Sequence, residues 1–332
     1  MDATPEHPAP PPPADADADG VHLVPALSPS EVDAVLALAV DAERADGTPP
    51  VSEQGLLRLR AGDVRQQHLL ARRAGRVVGY GSLLPEQDAQ EGGPGALVGE
   101  LVVAPPARGR GTGRALLEAA LTARGDRALR LWMHGDLPAA RSLAERAGLV
   151  RVRELMTMRA DLAPALPPLP QVEGVRLRAF EVGRDEGAWL AVNARAFADH
   201  PEQGAWTLED VRAREAEPWF DPAGLVLAED ERTGDLLGSH WTKTTPGGGD
   251  AAPLGEVYVV GVDPSAQGRG IGRLVTLAGL RSLRERGVRD VELYVEADNA
   301  AAVAVYRRLG FERSGADVVV EAAARPAAGT AR

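Results

Sequence analysis

The sequence predicts an α/β protein in which one fold is built twice, each copy a mixed sheet flanked by helices. Three observations carry that prediction. The first is an internal repeat. LVVAPPARGRGTGRALLEAAL, starting at Leu101, matches VGVDPSAQGRGIGRLVTLAGL, starting at Val260, and Pro105, Gly111 and Gly113 lie 159 residues before Pro264, Gly270 and Gly272. The second is the shared order of patterns: strand-like alternation, a Gly-rich turn, a helical run, then strand and helix again. The third is a Pro-rich stretch over 160–175, which interrupts helix and sheet near the midpoint of the 332 residues. A period this long means two domains rather than a solenoid.

The elements follow in order. Residues 1–20 are rich in Pro, Ala and Asp without apolar periodicity, which predicts a disordered tail. They lack the basic-then-apolar order of a signal peptide. Apolar spacing over 31–45 and 185–197 suits a helix. Strands follow at 76–84 and within 225–241, the latter a hairpin turning at Thr233-Gly234. Each half then has an apolar strand (100–104, 256–262), the Gly turn and an amphipathic helix (111–124, 270–286). A strand (128–133, 290–295), a helix (138–147, 299–309) and a closing strand (150–159, 316–322) complete it. The expected domains are 21–162 and 174–324, joined by 163–173, with a second tail at 325–332.

Composition narrows the function. Hydrophobic residues at 44% and charged residues at 26% describe an ordinary globular chain. A net charge of -11 argues against a nucleic-acid groove or an anionic membrane surface, both of which require basic patches. With no cysteine there are no disulfides and no cysteinyl intermediate. Lys243 is the single lysine among 37 basic residues, and it follows Thr242, which excludes a P-loop. No apolar run is long enough to span a membrane. A cytoplasmic, monomeric protein is expected. The six histidines do not cluster, and the H-x-E of His200 and Glu202 lacks the cysteine ligands of a deaminase, so no metal is expected.

The turns RGRGTG (108–113) and QGRGIG (267–272) join strand to helix. Glycines let backbone N–H groups approach a phosphate, and the helix N-terminus adds a favourable dipole. Arg110, Arg114, Arg269 and Arg273 add charge. A dinucleotide-binding turn would follow the first strand of its domain and use another glycine spacing. Here the turn comes late in each half.

Each half resembles a domain of the GNAT N-acetyltransferase superfamily. The carrying segments are EVYVVGVDPSAQGRGIG (256–272) and ELYVEADNAAAVAVYRRLGF (292–311), repeated more loosely in the first half. The resemblance implies a mostly antiparallel sheet in each domain and acetyl-CoA as co-substrate. It implies that Val260, Gly261 and Val262 flank the pantetheine arm. Gln267, Gly268, Arg269, Gly270, Ile271, Gly272 and Arg273 would hold the pyrophosphate. Asn299, Ala300, Ala301, Ala302, Val303 and Ala304 would line the far side of the arm. In the first half the matching positions are Leu101, Val102, Val103, Arg108, Gly109, Arg110, Gly111, Thr112, Gly113 and Arg114. The tandem pair further resembles the mycothiol synthase family, through HPEQGAWT (200–207), HWTKTT (240–245) and LYVEADNAAAV (293–303). That family acetylates the cysteine α-amine of cysteinyl-glucosaminyl-inositol, a small pseudo-disaccharide amine.

Acetyl transfer to an amine needs a base for the ammonium, stabilisation of the oxyanion and a proton for the leaving thiolate. Strand alternation puts Glu256, Tyr258 and Val260 on one face, so Glu256 is the candidate base or ammonium anchor. Tyr306 is the candidate acid, by resemblance. Glu53, Glu202, Lys243, Glu256 and Tyr294 are, by resemblance, the acceptor-binding set. Glu53 also reads as a first-turn helix acid behind a Ser52 cap. In the repeat Tyr306 corresponds to Ala144, Tyr294 to Trp132, and Glu256 to Leu97 or, with a gap, Glu100. The second half is therefore expected to be catalytic and the first non-catalytic. Two other readings stay open here: a GNAT enzyme for another amine, such as an aminoglycoside or a protein N-terminus, and a non-catalytic acyl-CoA sensor.

Overall fold

A computed structural model describes residues 19–86, 95–198, 203–247 and 252–325. The chain divides into two units, one of Met1–Arg151 with Val319–Arg332 and one of Val152–Val318.

The first unit contains β1 (Gly20–Val24), α1 (Pro29–Asp46), α2 (Glu53–Ala61), β2 (Gln67–Arg73), β3 (Arg76–Pro85), β4 (Leu97–Val103), α3 (Thr112–Ala123), β5 (Leu129–Met133) and α4 (Pro138–Arg146). Strands β1 to β4 form an antiparallel ladder, and β4 pairs with β5 in parallel. Val35, Leu38 and Ala42 of α1 and Leu59 of α2 bury one face of this sheet against Leu70, Tyr80 and Val102. Helix α3 covers the opposite face, so close that a Cβ on Gly79 of β3 would stand 2.9 Å from Leu116. Ser28 starts α1 with a capping box to Glu31, and Gly47 ends it in the left-handed region at φ 72°.

The second unit repeats the plan. It holds most of β6 (Val150–Asp161), β7 (Val175–Ala179), α5 (Glu186–Ala196), α6 (Leu208–Glu215), β8 (Leu225–Asp230), β9 (Leu236–Thr245), β10 (Leu254–Val262), α7 (Ile271–Glu285), β11 (Asp290–Glu296), α8 (Ala300–Arg308) and the start of β12 (Glu312–Ala322). Strands β7 to β10 are antiparallel, and β10 pairs with β11 in parallel. Trp189 of α5 and Val211 of α6 pack on one face, with Leu225, Leu227, Trp241 and Val259. On the other face Leu280 and Leu283 of α7 and Val303 of α8 pack with Val257, Val291 and Leu293. Among the described residues no helix is long and apolar enough to cross a membrane.

The units divide the closing strands differently from the expected boundaries. Residues 152–162 belong by their contacts to the second unit and 319–324 to the first, the reverse of the expected assignment. Strand β6 pairs antiparallel with β11, from Asp161 opposite Asp290 to Leu155 opposite Glu296. Its Met156 and Met158 are buried in the core of the second unit. The end of β12 stands beside β5, where Glu321 bonds Arg130 at 2.8 Å. Alternation identifies a strand but not its partner, so this exchange is invisible in the pattern.

One prediction follows for dissection of the chain. A fragment of 152–324 should melt cooperatively, whereas one of 174–324 should not. Removing β6 strips the outer edge of β11 and two buried methionines, each worth roughly 1.5–3 kcal/mol. Thermal unfolding by circular dichroism decides it. Equal, cooperative melts of the two fragments would refute the assignment of β6 to the second unit.

Candidate acetyl-transfer site

The site-forming geometry of the second unit starts at β10. Its parallel ladder with β11 runs from Leu254 opposite Asp290 to Val257 opposite Leu293. Beyond that point β10 stays paired with β9 as far as Val262, and β11 with β6 as far as Glu296. The two central strands thus part into a wedge whose β10 wall is Tyr258–Val262.

A β-bulge lies at the mouth of this wedge, between Val257 and Val259 in the ladder with β9. In a regular strand these two valines would share a face. Instead Val257 packs under α7 with Leu280 and Leu283, and Val259 packs with Trp189 and Trp241. The bulge therefore reverses the alternation. Glu256 and Tyr258 point to the α5–α6 face, while Val260 joins the cluster of Ile271 and Val275 under α7. The expectation that Val260 shares a face with Glu256 is corrected on this ground. Gly261 turns back to α5, where an added Cβ would stand 3.2 Å from Phe197 and 3.3 Å from Ala196.

The α5–α6 face is aromatic and cationic. Glu256 stands opposite Lys243 of β9. The Lys243 Nζ lies 4.9 Å from the ring centroid of Trp219 and 5.3 Å from that of Tyr258. The Tyr258 hydroxyl accepts a 2.6 Å hydrogen bond from Arg214 Nε, and that guanidinium covers Trp206 at 3.7 Å. Arg214 is only 2% exposed. Sequence reasoning singled out neither Arg214 nor Trp219. The available signal was that Trp189, Trp206, Trp219 and Trp241 fall within one quarter of the chain.

Tyr294 of β11 lies between the buried Leu293 and Val295, and so points away from their core. Loss of hydration and the carboxylates of Glu292, Glu256 and Asp317 hold its phenol above the ordinary tyrosine value. Tyr306 of α8 packs beside the α7–α8 core, its ring edge-on to Phe311 at 5.7 Å between centroids. Burial pushes its phenol up to about 12.

Helix α7 begins at Gly270 in the left-handed conformation (φ 86°) with no side-chain cap, preceded by Gly268 at φ 78°. No side chain caps its first N–H groups, an architecture common at anion sites. Gln267, Gly268, Arg269, Gly270 and Arg273 are exposed around it. Asp263 braces the turn, accepting from Ser265 N at 2.9 Å and from Arg195 Nε at 2.8 Å. Asn299 caps α8 by accepting from Ala302 N at 3.0 Å. Ala300 and Ala301 are exposed, but Val303 is core.

The first unit has the same turn, with Gly109 at φ 70° and Gly111 at φ 87°. Its parallel ladder also stops early, at Glu100 opposite Trp132. Two of its arginines are engaged otherwise. Arg108 clamps Asp46 at 2.6 and 2.7 Å and donates to the Val103 carbonyl, and Arg114 pairs with Glu118 at 2.7 Å. Glu100 stands opposite Ser82, the place that Val259 takes opposite Trp241, so it is not the counterpart of Glu256. Ala144, which replaces Tyr306 in the repeat, is buried. Glu53 opens α2 behind the Ser52 cap. Glu202 lies outside the described residues. Among those residues no group of three His, Asp or Glu side chains is placed to hold a metal ion.

Comparison with known proteins agrees with this geometry. The family model of the GNAT acetyltransferases matches residues 33–149 and again 189–311. The mycothiol acetyltransferase of Thermomonospora curvata is 55% identical over 298 residues, covering 89% of this chain and 95% of that one. The mycothiol acetyltransferase of Streptomyces avermitilis is 51% identical, covering 90% and 94%. Among solved structures, a tandem GNAT protein from the clavulanic acid biosynthesis pathway superposes with a TM-score of 0.65 at 25% identity, over 92% of this chain and 99% of that one. The doubled wedge and the doubled family match together place the chain in the GNAT acetyltransferase family, and its relatives over nine-tenths of its length place it among the mycothiol acetyltransferases.

Proposed function

We infer that the protein transfers acetyl from acetyl-CoA to the cysteine α-amine of cysteinyl-glucosaminyl-inositol, giving mycothiol and CoA. The observation that carries the reading is the wedge between β10 and β11, with Glu256 and Lys243 opposite one another on its α5–α6 face. Close relatives named as mycothiol acetyltransferases support the choice of acceptor.

The reaction is direct attack in a ternary complex. The uncapped start of α7 binds the CoA pyrophosphate, and Val260, Gly261 and Val262 run beside the pantetheine arm. An α-ammonium has a reference pKa near ~8, so the Glu256 carboxylate is base enough to take its proton, directly or through one water. The free amine attacks the thioester carbonyl. The C–N bond forms and the C–S bond breaks; the leaving thiolate takes the proton of Tyr306, and the second proton, shed by the nitrogen as it becomes an amide, restores the phenol. Glu53, Glu202, Lys243 and Tyr294 bind the acceptor's ammonium and hydroxyls. The second unit is the catalytic one, because the first has alanine where the acid belongs. The first unit does not turn over acetyl-CoA: it either holds the cofactor idle at its Gly turn or serves as scaffold. The protein works as a cytoplasmic monomer without a metal.

The test is CoA release from acetyl-CoA with cysteinyl-glucosaminyl-inositol, the product weighed for one added acetyl group on nitrogen. Folded protein that binds acetyl-CoA but leaves this amine untouched would refute the acceptor. Tyr306→Phe should lower kcat by about tenfold, less than loss of the base, because water also protonates a thiolate.

A further inference from the structure

We propose that Glu100, together with His134, is a positioning residue for acceptor recognition: it locks the α1–α2 connection so that Glu53 is presented in one orientation. The proposal rests on the reading of Glu53 as an acceptor-binding residue.

Glu100 is a carboxylate at the end of the β4–β5 ladder, 6% exposed. Its Oε1 accepts the Ser52 backbone N–H at 2.8 Å and is 2.9 Å from His134 Nε2. The Ser52 hydroxyl donates to the same carboxylate. These partners hold the Glu100 carboxyl below the usual glutamate range in spite of burial. Ser52 Oγ in turn accepts from Gly55 N at 3.1 Å, closing the cap of α2. An added Cβ on Gly55 would stand 2.6 Å from Glu100 Oε2, so the first turn of α2 lies directly on the carboxylate. The other end of the connection is pinned too. Gly135, beside His134, lies so close to Thr48 that a Cβ would stand 2.8 Å from Thr48 Cγ2.

A simple cap explains only part of this. Ser52 Oγ alone satisfies the helix donor at Gly55. Glu100 adds a bond to the N–H of Ser52 itself, which fixes the backbone immediately before Glu53. Packing does not require a charge at this place either, since the second unit has Val259 there. A buried carboxylate with three donors holds one geometry where an apolar side chain would allow several.

The test uses the full chain, with initial rates against each substrate in turn. Glu100→Gln should raise the acceptor KM by about tenfold or more, while kcat and the acetyl-CoA KM stay within about twofold. His134→Ala should shift the same parameter in the same direction. Glu53→Gln should raise the acceptor KM, and the double variant Glu53→Gln/Glu100→Gln should be no worse than the more severe single one. Should Glu100→Gln fail to fold, His134→Ala decides by the same split. A raised acceptor KM in Glu53→Gln with unchanged values in Glu100→Gln and His134→Ala overturns the positioning role alone. An unchanged acceptor KM in Glu53→Gln overturns the role of Glu53 and this proposal with it. A loss of kcat and acetyl-CoA affinity together would show general damage to the unit and also overturn it.

Discussion

Glu256→Gln should lower kcat by about 10²–10⁴ while leaving the fold and acetyl-CoA binding intact. The amide keeps the size of the carboxylate but takes no proton. Glu256 sits one residue before the last β10–β11 pair, so its side chain leaves the strand where the wedge opens. The bulge that follows keeps Tyr258 on the same face and diverts Val260 to the other. The α5–α6 side and the α7–α8 side of the sheet are thereby separated at this point, with Glu256 on one and Tyr306 on the other. Steady-state rates over pH separate the two roles of the carboxylate. A base makes the variant slow at every acceptor concentration and removes the carboxylate's limb from the pH profile. An ammonium anchor raises the acceptor KM and spares kcat. A kcat within about threefold of the parent at neutral pH would exclude Glu256 as base.

The repeat made the doubled fold and both Gly turns legible. Pro264 to Gly272 carries its structural instructions locally, through a fixed φ, two left-handed glycines and a helix start. Ser52 likewise announced α2 as a cap. The features that escaped are non-local. EVYVVGV alternates without a break, and nothing in it marks the bulge, which exists only relative to β9. Val150–Asp161 reads as a strand of the first half because partner choice depends on Val291, Leu293 and Val295, more than 130 residues away. Val303 lies in a run of alanines that suggests room for a ligand, yet helical spacing turns it into the core. Arg214 is one arginine among many in the sequence. Only the fold lays it over Trp206 and against the Tyr258 hydroxyl.

Arg178→Met should destabilise the second unit by about 3–5 kcal/mol, because it leaves two buried carboxylates without their shared cation. Arg178 of β7 donates through Nη2 to Asp185 at 2.8 Å and through Nε to Glu229 at 2.6 Å. The carboxyl side chains are only 5% and 4% exposed. Arg176 also bonds Glu229, at 3.0 Å, which places the loss nearer the lower figure. The pH dependence identifies the cause. Bonding to Arg178 lowers the Glu229 pKa, and the Arg178 and Glu181 bonds outweigh burial to lower that of Asp185. In the parent these groups therefore contribute stability above the ordinary carboxylate range and lose it as pH falls through their depressed values. In the variant, burial without the cation raises both, so they take up protons sooner. The deficit is then largest near neutrality and narrows below about pH 5. Thermal melts at neutral and acid pH measure it. A deficit that stays constant between the two would mean lost packing rather than stranded charge. Arg178→Lys should recover part of the loss, because the ammonium restores the charge but not the reach and planar fork of the guanidinium toward both carboxylates. The effect reaches the site through α5, which follows Asp185 and carries the Ala196–Phe197 end that closes on Gly261.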